Sequence, residues 1–256
     1  MSEFAIRAAT SEDLQQLAGL LPAWTLETAG FVDGDDDDRL LLAVSAGQAL
    51  GCLRVRRRVG LDHPRYWFHV GFRVHAAVEL AMFRRERTLL LGNDHTGAAE
   101  LSEFALRAVL PETTPGTALA QELVAEALRW LVQKDPGADD LPKVIAALPG
   151  PRSADGSAPF WNGLGRHFYA GDVEQALARF GTHWQTHVAA LLPRHPLVVS
   201  VLHADVQDAI GAIHPDARVW RDALADAGLR AGQHIGLHDG GPVYEAHRDL
   251  LARMPR

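Results

Sequence analysis

Leu106-Arg107-Ala108-Val109-Leu110-Pro111-Glu112-Thr113-Thr114-Pro115-Gly116-Thr117-Ala118, running on into Leu119-Ala120-Gln121-Glu122-Leu123-Val124-Ala125-Glu126-Ala127-Leu128-Arg129-Trp130-Leu131, is the stretch that decides the fold class. Its first residues end the apolar run Glu100 to Leu110, read as a strand, although the periodicity there is ambiguous. Pro115-Gly116-Thr117 then opens a helix whose Leu119, Leu123, Val124, Ala127, Leu128 and Leu131 fall on one face. Strand, glycine-containing loop and amphipathic helix together predict an α/β protein. The helix start has a second meaning, because its free N–H groups and its dipole both favour the pyrophosphate of a bound nucleotide. Gly116, Thr117 and Ala118 are small enough for a backbone to approach phosphate oxygens, yet many helices open after Pro-Gly with no ligand.

Outward from that stretch, strand and helix signals alternate. Phe4 to Ala9 reads as a strand, and Thr10-Ser11-Glu12-Asp13 caps a helix carrying Leu14, Leu17, Leu20 and Leu21. The acidic run Asp33 to Asp38 reads as a solvated loop. Arg39 to Ala46 and Gln48 to Val59 form a hairpin about Gly47, and Trp67 to His75 and Thr88 to Leu91 continue the β character. Lys143 to Leu148 is a buried strand, and Pro149 to Ser157 is a loop by composition. Helices are predicted between Pro159 and Leu192, then a β-branched run over Leu197 to Leu202. Helices over Asp205 to Ile213 and Val219 to Ala227, the latter closed by Gly228, precede a closing strand at His234 to His238. With no internal repeat and no low-complexity linker, residues 1–256 are read as one domain, with a pseudo-lobe boundary near 149–158.

Composition narrows the partners. At 256 residues with 47% apolar content the chain can bury a sizeable core, and its net charge of -7 disfavours a nucleic-acid footprint. The basic cluster Arg54 to Arg58 alternates with apolar residues and is read as the solvent face of a strand. Cys52 is the single cysteine, so no intrachain disulfide and no cysteine zinc site can form; it is read as packing. No apolar run approaches the roughly 18 residues that span a bilayer, and no basic-then-apolar leader is seen. The expectation is a cytoplasmic protein that engages neither nucleic acid nor membrane and uses no metal.

Three sets of side chains carry candidate chemistry. His95, His167 and His214 titrate near neutrality and are able to move a proton to or from an amine or thiolate, but 13 histidines leave sequence chemistry no way to choose among them. Asp94 and Glu100 suit a cationic substrate, since a carboxylate meets a guanidinium with two parallel hydrogen bonds. The same Asn93-Asp94 followed by Gly97 is also what a tight turn uses.

Blocks along the chain resemble the arginine N-succinyltransferase family. They include Val74-His75-Ala76, Thr88 to Leu91, Asn93-Asp94-His95-Thr96-Gly97 with Glu100-Leu101, and Pro159-Phe160-Trp161. Further on are Gly163 to Phe168, Leu192 to Pro196, Ile210-Gly211, His214-Pro215 and Asp239-Gly240-Gly241-Pro242. The resemblance implies a GNAT-like acyl-CoA N-acyltransferase fold, a mixed central sheet flanked by helices. It implies transfer of succinyl from succinyl-CoA to the α-amine of arginine or ornithine, and a homo- or hetero-oligomer. His214 would be the proton donor. Phe104 would meet the succinyl-CoA through the main chain; the residue reading adds Leu106 beside it, Gly116, Thr117 and Ala118 for its phosphates, and Asn93, Asp94, His95 and Glu100 for the acceptor. The sequence departs from the pattern at Thr113, Ala147 and Pro149, matches less well in its N-terminal third and reads as C-terminally shortened. Another acyl-CoA or amine, or a catalytically weak partner subunit, is the alternative.

Overall fold

In the computed structural model, which describes residues 4–21, 37–134 and 143–247, the alternating runs become strands collected into one sheet. In chain order these are β1 (Ala5–Ala8), β2 (Asp38–Ser45), β3 (Gln48–Arg56), β4 (Trp67–Ala77), β5 (Met82–Gly92) and β6 (Ala99–Leu106). After them come β7 (Lys143–Ala147), β8 (Leu197–Val198), β9 (Arg230–Gly236) and β10 (Pro242–His247). The helices are α1 (Leu14–Leu17), α2 (Gly116–Lys134), α3 (Pro159–Gly163), α4 (Val173–Phe180), α5 (Trp184–Ala189), α6 (Ala204–Ala209) and α7 (Arg218–Asp226). Sheet order is β1-β2-β3-β6-β7-β10-β9-β4-β5-β8.

Period-two alternation assigns the faces. Leu41, Ala43, Leu53, Val55, Ala99 and Leu101 turn towards α2 and α7, where Leu119, Leu123, Val124, Leu128, Trp220 and Leu224 complete the largest core. Leu40, Leu42 and Cys52 turn the other way, onto Leu17 and Leu21. A second core lies over β4, β5 and β9, where Phe68, Leu89 and Ile235 pack with Phe160, Trp161 and Trp184. Burial pushes the Cys52 thiol well above its ordinary range, in keeping with its expected packing role.

One junction differs from the rest. β6 and β7 run parallel, joined through the 19-residue α2, whereas the other neighbouring pairs among the described residues are antiparallel. Their pairing covers only Ala99↔Val144 to Leu101↔Ala146, while β6 continues to Leu106. Beyond Leu101, β6 stays paired with β3 and parts from β7.

Several expectations are corrected. Arg54 and Arg56 do not face solvent: Arg54 is 6% exposed, and both point onto the sheet face that carries Asp38, Glu100 and Glu103. Asp38 is therefore a strand residue with a structural partner rather than part of a solvated loop; Asp33 to Asp36 lie outside the described residues. The helix after Asp13 holds one turn, Leu14–Leu17, before Gly19. The run Leu197 to Leu202 yields a two-residue strand against Thr88 and Leu89, then a 3-10 turn that carries Val199 into the second core. The closing strand lies at Arg230–Gly236, and a further strand, β10, pairs it to β7.

Candidate active site

Where β6 parts from β7, a cavity of about 380 Å³ opens beside Ser102 to Ala105 on one side and Ala147 to Pro149 on the other. Its wall is shaped by a bulge in β6. The register against β3 slips by one residue between Cys52↔Ala105 and Arg54↔Ser102, and Glu103 takes up the slack at φ +53°, in the left-handed region that a side chain rarely adopts. The bulge aims the Glu103 carboxylate at Arg54 (3.0 Å) and Arg56 (3.3 Å). Past Leu101 the other edge of β6 has no strand partner among the described residues. Because the Arg107 N–H is donated to Leu50 O on β3, strand alternation turns the N–H groups of Phe104 and Leu106 away from β3, towards the opening.

The cavity base is a charge network. Glu100 is fully buried and accepts from Arg56 Nη1 at 2.9 Å and from Arg65 Nη2 at 2.8 Å. Burial alone would raise its carboxyl, but Arg65 and Arg56 outweigh that and hold it below the usual carboxylate range. Burial likewise opposes the charge on Arg56, and Glu100, Glu103 and Asp38 more than restore it. Three buried polar atoms in this wall have no hydrogen-bond partner among the described residues: Arg65 Nε, Ser102 Oγ and Glu103 Oε2. A buried polar atom left unpaired is costly, so these three are poised for a ligand that carries both donors and acceptors.

Of the expected acyl-donor residues Phe104 lines the cavity, and Leu106 lies with Gly116 at the end of β6. Leu106 touches the start of α2, where a Cβ on Gly116 would lie 3.3 Å from the Leu106 side chain. Gly116, Thr117 and Ala118 thus present the first N–H groups of a 19-residue helix at the end of β6. Phe104 stacks at 5.1 Å from Trp220 of α7, and Ile213 packs in the same core. His214 follows it, and its main-chain N–H is donated to O of Pro149, a cavity residue, at 2.9 Å. The His214 imidazole accepts the Asp216 N–H at Nδ1 (3.3 Å) and caps the turn Pro215–Ala217, which leaves the ring hydrogen on Nε2.

Of the four expected acceptor residues, Glu100 lines the cavity and does so through its two arginines. Asn93 accepts the Thr96 N–H and hydroxyl in the turn after β5. Asp94 lies 3.1 Å from His234 Nε2. His95 is fully buried, with its ring 4.9 Å from that of Trp67; burial first, then the neighbouring His234 and Lys143, push its pKa down to about 3, so it is a neutral imidazole. His167 ends a 3-10 turn and does not line the cavity. Sequence reasoning missed Arg65, Ser102 and Glu103. Ser102 was within reach, because period two puts it on the face of Glu100. Glu103 reaches that face through the bulge, and Arg65 comes from a loop with no pattern of its own.

Comparison with known proteins gives a consistent set of matches. The family described as arginine N-succinyltransferase beta subunit matches residues 34–253. An arginine N-succinyltransferase of Yersinia pestis is 33% identical over 221 residues, which are 86% of this chain and 59% of the relative. One from Escherichia coli is 33% identical over 205 residues, 80% of this chain and 58% of the relative. This chain therefore spans about three fifths of the length of the curated relatives it matches. Among solved structures, arginine/ornithine succinyltransferase subunit AI from Pseudomonas aeruginosa superposes with a TM-score of 0.76 at 21% identity, over 99% of this chain and 80% of that one. That likeness establishes the fold, and the expected mixed sheet flanked by helices is the one observed.

Proposed function

Because this chain belongs to the arginine N-succinyltransferase family, we propose that it transfers succinyl from succinyl-CoA to the α-amine of arginine or ornithine, by direct attack in a ternary complex. The observation that supports this reading is the opening between β6 and β7, whose wall holds donors and acceptors without partners among the described residues, together with the contact of Leu106 at the end of β6 with the start of α2. The acyl-CoA enters from the α2 side, its phosphates against Gly116, Thr117 and Ala118 and its thioester carbonyl against the N–H of Phe104 or Leu106. The acceptor fills the cavity: Glu103 Oε2 and Ser102 Oγ meet its cationic end, and Arg65 its carboxylate. Glu100 holds Arg56 and Arg65 in place.

The free amine then attacks the thioester carbon. A C–N bond forms, the carbonyl oxygen gains charge facing the strand N–H groups, and the C–S bond breaks. The departing thiolate takes up the proton that the attacking nitrogen sheds as it becomes the amide, and the His214 Nε2–H hydrogen-bonds the sulfur as its charge develops. Alignment of amine and thioester supplies much of the acceleration.

Free-thiol release measured with succinyl-CoA or acetyl-CoA against arginine, ornithine and lysine tests the assignment. Succinyl-CoA with arginine or ornithine should be turned over fastest; a preference for acetyl-CoA, or for lysine, would reject it. Glu103→Gln should raise the acceptor KM about 10-fold or more, the cost of one buried charged hydrogen bond, with little change in the KM for the acyl-CoA. We further propose that the chain acts in the cytoplasm, where its lone buried cysteine stays reduced, and that it works as part of an assembly of subunits. No helix among the described residues is long and apolar enough to cross a membrane.

A further inference from the structure

Behind the cavity, the turn after β5 brings His95 against two residues of the β9–β10 hairpin, His234 and Glu245. One ring nitrogen of each histidine and one Glu245 carboxylate oxygen lie within 4.8 Å of one another. His95 is fully buried, and neither of its ring nitrogens has a hydrogen-bond partner among the described residues. In His234 the roles of the two nitrogens are separated. Nε2 lies 3.1 Å from Asp94 Oδ2 and donates to it, while Nδ1 is buried and has no hydrogen-bond partner among the described residues. The two rings lie 4.2 Å apart and inclined at 62°.

We infer that His95, His234 and Glu245 form a binding site for a zinc-class divalent metal ion. Two neutral imidazoles and a carboxylate are the donor types such an ion takes, and three protein ligands leave a fourth position for water. Bond lengths of about 2.0–2.2 Å require donor atoms roughly 3.4 Å apart, so modest side-chain rotation closes the present set onto an ion. The Asp94–His234 contact is the carboxylate partner that fixes the tautomer of a metal-bound histidine. Glycine at position 232 leaves the Glu245 carboxylate its place, since a Cβ there would stand 2.5 Å from Oε1. Lys143 Nζ, 3.4 Å from Glu245 Oε2, opposes the incoming charge and moderates the affinity.

The ion would be structural. It ties the turn between β5 and β6 to β9 and β10, and Trp67, which meets His95 edge-on at 4.9 Å, is itself part of the cavity wall. This assignment departs from the expectation, drawn from the sequence, that the protein uses no metal, and it stands apart from the proposed acyl transfer.

The test is titration of chelator-stripped protein with Zn²⁺ in competition with a chromophoric chelator, together with thermal melting. Wild type should take up one equivalent and melt at a higher temperature with the ion. His234→Ala and Glu245→Gln should each weaken binding about 100-fold or more and abolish the melting shift, and Asp94→Asn should weaken binding about 10-fold. His203→Ala, on an exposed imidazole, serves as the control and should behave as wild type. Absence of a bound equivalent in the wild type would overturn the assignment. So would equal binding by wild type, His234→Ala and Glu245→Gln, which would mean adventitious uptake by surface histidines.

Discussion

His214 illustrates how much a single side chain owes to its cap. The Asp216 N–H occupies Nδ1, so the hydrogen available at Nε2 is set by the local turn rather than by a distant partner. Replacing His214 with alanine should lower turnover by about 10²-fold while the circular dichroism stays unchanged, because the main-chain bond to Pro149 survives; near-wild-type turnover would remove His214 from the mechanism. A second residue-scale prediction concerns Asp13. Bonding to Arg7 at 2.6 Å, supported by the Thr10 N–H, lowers its carboxyl from 3.8 to about 2 against the opposing effect of burial. A folded value below the unfolded one means that the stabilisation is complete above pH 4 and is lost as pH falls through 2. With Arg7 half exposed, its size is about 1 kcal/mol. Asp13→Asn should therefore flatten the fall of urea stability between pH 4 and pH 2 relative to wild type. The pair was partly legible, since Thr10-Ser11-Glu12-Asp13 was read as a cap; Arg7 as its partner became visible only once β1 was placed.

At the scale of elements, the strands were readable where an apolar run is bounded by turn residues. The 3.6 period located the core face of α2, and apolar runs located β2, β3 and β7, which are buried on both faces and whose facing was then read from alternation. Alternation misassigned the direction of Arg54 and Arg56. Arginine on an alternating strand looks the same whether it faces water or three carboxylates, and the carboxylates come from Asp38, Glu100 and Glu103 on other strands. The β6 bulge was equally hidden, as Glu103 is an ordinary residue at an unusual φ. The loop after β7 carries a constraint that composition only hinted at. A Cβ on Gly150 would stand 2.1 Å from Asp239 O and 2.8 Å from Gly241 N, so backbone meets backbone with no flexible side chain to yield. Gly150→Ala should cost about 1–3 kcal/mol, seen as a lower urea midpoint at unchanged slope, and it should also displace Pro149 and with it His214.

On the scale of the whole molecule, β4 and β5 reach past their neighbours: β9 pairs β4 only over Trp67 to His69, and β8 pairs β5 only at Thr88 and Leu89. The remaining arm exposes Phe72, Val74, Leu80 and Phe83, an apolar surface of the kind that associates. Sedimentation velocity should show the wild-type chain self-associating, and Leu80→Glu with Phe83→Glu should shift it to monomer; identical profiles would exclude the arm as the contact. By itself the sequence determined the α/β class, the helix start at Gly116 and the family, because periodicity, turn chemistry and ordered motifs are local properties that a linear reading preserves. Tertiary structure alone decided which face Arg54 and Arg56 take, which polar atoms remain unpartnered in the cavity, and that His95 meets His234 and Glu245. The partners of a buried charge come from strands distant in the chain, and pairing register, which no single segment encodes, brings them together.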